Sequence, residues 1–234
     1  MAISFVADTF VTLTQTSNRT IAKPTGTTTD DVLVAMMFFG VDDAVTPPSG
    51  WTHEVNFDNN EPSQEHRFHA FWKRAGGSEP ADYTWSWTGS QYNEIWIGAF
   101  RGVITSGNPV DASNAIHGGT SGTSANAISI TTTEANTALI YMITSWNGGG
   151  YGPPTVPGTF TEPANGDGNI TGTSYYFWSS SGDTGSVVGT ATPAGTRSVI
   201  LLALKPAAAA PSVFPENFFQ LPQPTHETFE VVAY

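Results

Sequence analysis

Residues 83–88 read Tyr83-Thr84-Trp85-Ser86-Trp87-Thr88. Rings alternate with small hydroxyl residues at a period of two, and successive side chains of a strand point to opposite faces. All the residue types except serine favour strands, so this stretch reads as a strand with three rings on one side. Outward from it, segments 32–39, 95–101, 138–143 and 199–204 are continuous apolar runs bounded by Gly, Pro or Asp. Such runs suit strands covered on both faces, and they are short for helices and rich in branched or aromatic side chains.

The same runs occur twice. Val32-Leu33-Val34 aligns with Ala138-Leu139-Ile140, Pro47-Pro48 with Pro153-Pro154, and Phe71-Trp72 with Phe177-Trp178, all about 106 residues apart. Ser49-Gly50-Trp51-Thr52 becomes the longer Thr155-Val156-Pro157-Gly158-Thr159-Phe160-Thr161, and the next loop shortens to restore the spacing. Upstream, Thr20-Ile21-Ala22 resembles Ala127-Ile128-Ser129; downstream, Ile95 to Arg101 answers Val199 to Lys205. The halves span 19–103 and 126–206. Two copies are too few for an open solenoid, so a closed pair is expected.

Clusters of Gly and Pro at 46–50, 75–80, 147–158 and 164–169 separate the runs, and their Thr, Ser, Asn and Gly neighbours suit turns. About ten strands at regular spacing predict an all-β fold, an antiparallel β-sandwich of jelly-roll type. The halves are expected to be related by a pseudo-twofold axis, each giving strands to both sheets. The seam at 104–125 reads as either an internal loop or a linker. A single domain over 1–206 is favoured, because half a repeat would leave a large aromatic face unpaired.

Charge excludes some partners. Eight Lys and Arg stand against 20 Asp and Glu, a net charge of -12 with no basic cluster, which argues against nucleic acid. No basic segment followed by an apolar one opens the chain, and no apolar run approaches membrane-spanning length, so the expectation is a protein made in a cytoplasm that does not span a membrane. With no cysteine, neither disulfides nor thiolate zinc can hold the fold.

The last residues differ in character. After Lys205-Pro206 come Ala207 to Ala210, then Pro211, Pro215, Pro222 and Pro224 interleaved with Phe214, Phe218, Phe219, Leu221, Phe229 and Tyr234. Dense proline favours an extended path, and the aromatic residues are too many for a solvated linker. Residues 207–234 therefore read as an arm that binds a partner, with Phe214, Phe218, Phe219, Phe229 and Tyr234 as its anchors.

Catalytic patterns are not evident in the sequence. His66 and His69 lie three apart on a strand and so face opposite ways, which prevents joint chelation and leaves surface histidines as the reading. Asn165-Gly166-Asp167-Gly168-Asn169 lacks the acidic series and closing Glu of a calcium loop and reads as a turn. Neither a nucleophile elbow nor a phosphate-binding glycine pattern occurs. Glu54, Glu65, Glu94 and Glu134 could in principle serve a glycosidase, but none has a marked context, and solvation is the expected role of each. The expectation is a protein that is not an enzyme and needs no cofactor.

Of the seven tryptophans, Trp72, Trp85, Trp87, Trp96 and Trp178 fall within strands and read as core, with Trp51 and its counterpart Phe160 as plugs. Trp146 and Tyr151 flank Gly148-Gly149-Gly150 and are the candidate ligand platform.

Several blocks carry a resemblance. Asp31-Val32-Leu33-Val34-Ala35, Thr46-Pro47-Pro48-Ser49-Gly50-Trp51-Thr52, Phe71-Trp72 with its continuation Ser78-Glu79-Pro80-Ala81-Asp82-Tyr83-Thr84-Trp85, Ala99-Phe100-Arg101-Gly102-Val103 and Asn108-Pro109-Val110-Asp111-Ala112 resemble a β-sandwich unit that recurs in structural proteins of tailed bacteriophages. The likeness covers about residues 1–206, more weakly in the second half, and excludes the arm. It implies a virion component without saying which, and contributes no catalytic residues. The arm narrows this to a capsid decoration or other accessory protein, oligomeric and partnered by other virion proteins, because it can extend over a neighbour and add buried area. The alternative is a tail- or fibre-associated module that binds a host surface glycan.

Overall fold

The computed structural model describes residues 2–40, 44–61, 64–120, 122–164 and 166–208. Thirteen strands are present among the described residues: β1 (Ser4–Ala22), β2 (Val32–Phe39), β3 (Thr52–Asp58), β4 (Arg67–Arg74), β5 (Asp82–Arg101), β6 (Val110–Gly119), β7 (Thr131–Thr132), β8 (Thr137–Thr144), β9 (Gly150–Gly152), β10 (Thr171–Trp178), β11 (Gly182–Asp183), β12 (Thr190–Thr192) and β13 (Arg197–Leu204). All pairings between them are antiparallel.

The fold is all-β, two main sheets packed face to face. One has the order β1-β5-β2-β4-β3 and the other β10-β8-β13-β6. The continuous apolar runs became β2, β8, β13 and the second part of β5, and every residue of β2, β8 and β13 is buried. Alternate residues of these strands serve two different cores, which explains why the runs lack a polar face. Val32, Val34, Met36, Phe38, Trp96 and Phe100 meet Ala138, Ile140, Met142, Ile200, Leu202 and Leu204 between the sheets. Each large apolar side chain buried there contributes about 1.5–3 kcal/mol, and the shared core joins both halves into one unit.

The connectivity differs from the expectation. Residues 4–101 supply the whole of the first sheet and residues 110–204 the whole of the second. Neither half gives strands to both sheets, and the chain does not shuttle between sheets as in a jelly roll. The two sheets follow the same path: β1 and β6 are edges, β5 and β13 pair with them, and β2 and β8, then β4 and β10, come next. The seam is neither loop nor linker throughout, because β6 occupies much of it as an edge strand of the second sheet.

Each sheet also has an outer face that needs a cover. In the first half the cover is the rest of the same ladder. β1 and β5 pair along their whole length with three register shifts, while β2 meets only residues 93–100 of β5. The remainder, with Gly89 at φ 73°, lays Tyr83, Trp85 and Trp87 over Leu33, Ala35, Met37, Phe39 and Phe71. In the second half, Ala125, Ile128, Ile130, Phe160, Val187 and Ala191 cover Leu139, Tyr141, Ile143, Val199 and Leu201. Trp51 and Phe160 sit in these two outer cores as plugs, 7% and 2% exposed.

One end of the sandwich gathers the first described residues and residues 205–208. Val103 bridges Pro206, Ile104 N–H donates to the Lys205 carbonyl at 3.1 Å, and Ala207 N–H donates to the Gly102 carbonyl at 2.7 Å. Gly102 takes φ 81° against the Ala2 carbonyl, where any Cβ would strike backbone. Strands β2 and β8 both run from this end to the other, the tip.

Candidate functional site

At the tip the two halves are joined by polar clasps around an apolar cleft. Glu94 lies on the inter-sheet face of β5 and is fully buried. Its Oε1 accepts from Leu13 N–H at 3.1 Å and Asn169 N–H at 2.7 Å; its Oε2 accepts from Ile170 N–H at 3.1 Å and Thr171 Oγ1 at 2.9 Å. Burial raises its pKa, and the four donors partly offset the rise. This carboxylate ties the first sheet to the 168–171 turn of the second half and has no bond left for chemistry.

The second clasp is His66, also fully buried. Nδ1 lies 2.9 Å from the Gln64 carbonyl and Nε2 lies 3.1 Å from Thr144 Oγ1, which accepts from Ser198 N–H at 3.1 Å. Asn59 Nδ2 also lies 2.7 Å from Nδ1, so both ring nitrogens have polar partners. Burial lowers the pKa to about 4. His69 points the other way, into the outer core beside Phe39 and Phe71, with Nδ1 3.0 Å from His53 Nε2. Burial, then His53 and Arg67, lowers it to about 3. The opposed directions agree with the sequence reading, but neither is a surface histidine: each faces a core, one between the sheets and one outside them.

Between the clasps, Leu13, Phe38, Tyr92, Trp146 and Ile170 line a cleft of about 300 Å³. Trp146 is half-buried, its ring 6.1 Å from those of Phe38 and His66. Tyr92 is 50% exposed. Tyr92 carried no signal as a site residue, because a Tyr among Ser90, Gln91 and Asn93 reads as ordinary surface.

The candidate platform is divided. Trp146 packs on the inter-sheet core, whereas Tyr151 packs on the outer core of the second half, with its ring over Gly172. They do not form one surface. Phe214, Phe218, Phe219, Phe229 and Tyr234 lie outside the described residues.

Other candidates have structural partners. Glu54 Oε1 accepts from Ser113 Oγ at 3.0 Å, and Glu94 is buried rather than solvated. The 166–169 segment is a turn, with Gly168 N–H donating to the Thr171 carbonyl at 2.6 Å. Among the described residues, no group of three or more His, Asp or Glu could hold a metal ion, and no helix is long and apolar enough to cross a membrane.

The conspicuous residues of the sequence blocks organise loops. Glu79 accepts from Gly76 N–H at 2.8 Å and Tyr83 Oη at 2.7 Å and pairs with Lys73 at 2.9 Å. Arg101 donates to both oxygens of buried Asp31 at 2.9 and 2.8 Å. Asp111 accepts from Thr133 N–H at 2.7 Å and Glu134 N–H at 3.1 Å. No protein-family model, curated protein or solved structure matches this chain.

Proposed function

We propose that this chain is a non-enzymatic structural component of a bacteriophage virion, a capsid decoration or accessory protein that docks on neighbouring subunits through residues 207–234. The observation that carries this reading is that Ala2 and residues 206–208, from which the aromatic segment continues, lie together at one end of a three-core sandwich. The chain leaves that end beside a groove of about 470 Å³ formed with Ala2, Glu134, Ala135 and Asn136, and Phe177, 41% exposed, lies on the same end. A sandwich whose last described residues reach one end suits a subunit fastened there by the segment that follows.

Two further features support the reading. The same strand order in both sheets, with Ile21 paired to Tyr83 and Ile128 bridged to Val187, fits an internal duplication. The marked residues of the blocks resembling phage structural proteins have scaffold roles, as a virion component requires. The proposed partners are other virion proteins and further copies of the chain, without a cofactor.

Deleting residues 207–234 tests this. The truncated chain keeps all three cores and should remain folded and soluble, while its incorporation into particles should be lost. Normal incorporation would contradict the proposal.

A further inference from the structure

Pro206 bridges Val103 and Ala207 N–H is held by the Gly102 carbonyl, so the last described residues are fixed at their end of the sandwich. Pro206, Ala207 and Ala208 line the groove of about 470 Å³ there, and Ala2 and Asn136 are shared between it and a second groove of about 200 Å³. Ile3, Phe177, Trp178 and Ser179 complete the second groove. We propose that it is the seat of this chain's own Pro211-Ser212-Val213-Phe214-Pro215.

Position and reach select that occupant. Ala208 borders the adjoining groove, and only Ala209 and Ala210 separate it from Pro211. At the roughly 3.1 Å per residue of a polyproline path, Pro211 comes about 9 Å and Pro215 about 22 Å beyond Ala208, which brings the second groove within reach. So short a tether holds the segment at an effective concentration on the order of millimolar, and even a weak contact is then populated before a segment from another molecule can compete.

The chemistry matches as well. Phe177 is 41% exposed and Trp178 is half-buried beside it. Aromatic-lined grooves take proline-containing segments, whose preformed path loses little entropy and whose carbonyls have no internal hydrogen bonds. Asn136, exposed and common to both grooves, offers an amide to those carbonyls. Residues 209–215 carry no charge, whereas Glu216, Glu227 and Glu230 follow, so the stretch nearest the groove is also the one that costs least to bury. Phe214 then serves its own sandwich, and Phe218, Phe219, Phe229 and Tyr234 remain for a neighbour; the seat does not rest on what they bind.

The chain has no cysteine, so Ser179→Cys/Ser212→Cys introduces a single thiol pair into the full-length protein. Equilibration with reduced and oxidised glutathione measures the effective concentration of one thiol at the other. The disulfide should form within single chains. Its effective concentration should fall about tenfold or more in Phe177→Ala, and likewise in Pro211→Gly/Pro215→Gly, which leaves the sandwich untouched. An effective concentration unchanged by removing the Phe177 ring or the prolines would overturn the proposal, as would disulfides found only between two chains. Particle incorporation is not the readout, so failure here leaves the docking reading standing.

Discussion

Lowering the pH from neutrality should destabilise this protein through two buried histidines. His66 and His69 are fully buried, with pKa values lowered from 6.5 to about 4 and about 3. Because these folded-state values are depressed, the native chain stays neutral while the unfolded chain takes up protons below 6.5. The stability they contribute is complete above that pH and is lost as pH falls toward their folded values. Each site costs about 1.4 kcal/mol per pH unit inside the window, so the pair costs about 2.7 kcal/mol per unit. Glu94 and Asp167 oppose them: their raised values, that of Asp167 to about 6, make the folded state take up protons before the unfolded chain does, and each offsets at most one histidine, while His53, lowered by burial, adds to the loss. The contribution of the pair is therefore a difference: between about pH 6 and pH 5 the slope should be up to about 2.7 kcal/mol per unit steeper than in a folded His66→Gln/His69→Gln variant. Urea unfolding followed by tryptophan fluorescence across this range measures it directly. The same slope in that variant would refute the reasoning.

Two substitutions test the packing around the same strands. Glu94→Gln replaces one acceptor oxygen with a donor facing Ile170 N–H and Thr171 Oγ1 or their Leu13 and Asn169 counterparts, and should cost about 1–3 kcal/mol for each donor left unpaired, read from the urea midpoint. Gly98→Ala would drive a methyl group into the Trp96 ring, which lies across that glycine and donates to Asp8 Oδ2 at 3.0 Å; a loss of about 1–3 kcal/mol is expected.

The central strands were legible because burial on both faces leaves a continuous apolar run, as in β2, β8 and β13. The rings of 83–88 were legible because β5 there buries one face only, with Tyr83, Trp85 and Trp87 in and Thr84, Ser86 and Thr88 out. The edge strands β1 and β6 were not legible as strands. They are half-exposed and paired on one side, with apolar residues mixed among polar ones and no sustained apolar run, so they lacked the signal of the central strands, and the second half was placed to start at 126 rather than near 110. The sheet membership of the halves also escaped, because a repeat fixes which segments correspond but not which partner each one pairs with. At the tip, Trp146 lines the cleft while Tyr151, grouped with it in the sequence reading, does not, since the 148–150 turn carries Tyr151 to the opposite face. The buried clasps formed by His66 and Glu94 carry no local pattern, being defined by donors and acceptors as many as 81 residues away.

The claim that this brick is fastened to its neighbours through its C-terminal residues is tested most directly in intact particles. A photo-crosslinking amino acid placed at Phe218 should, on irradiation, join this chain to a second polypeptide, identified by mass spectrometry. Adducts confined to the chain itself, or none at all in particles that contain the protein, would contradict the account.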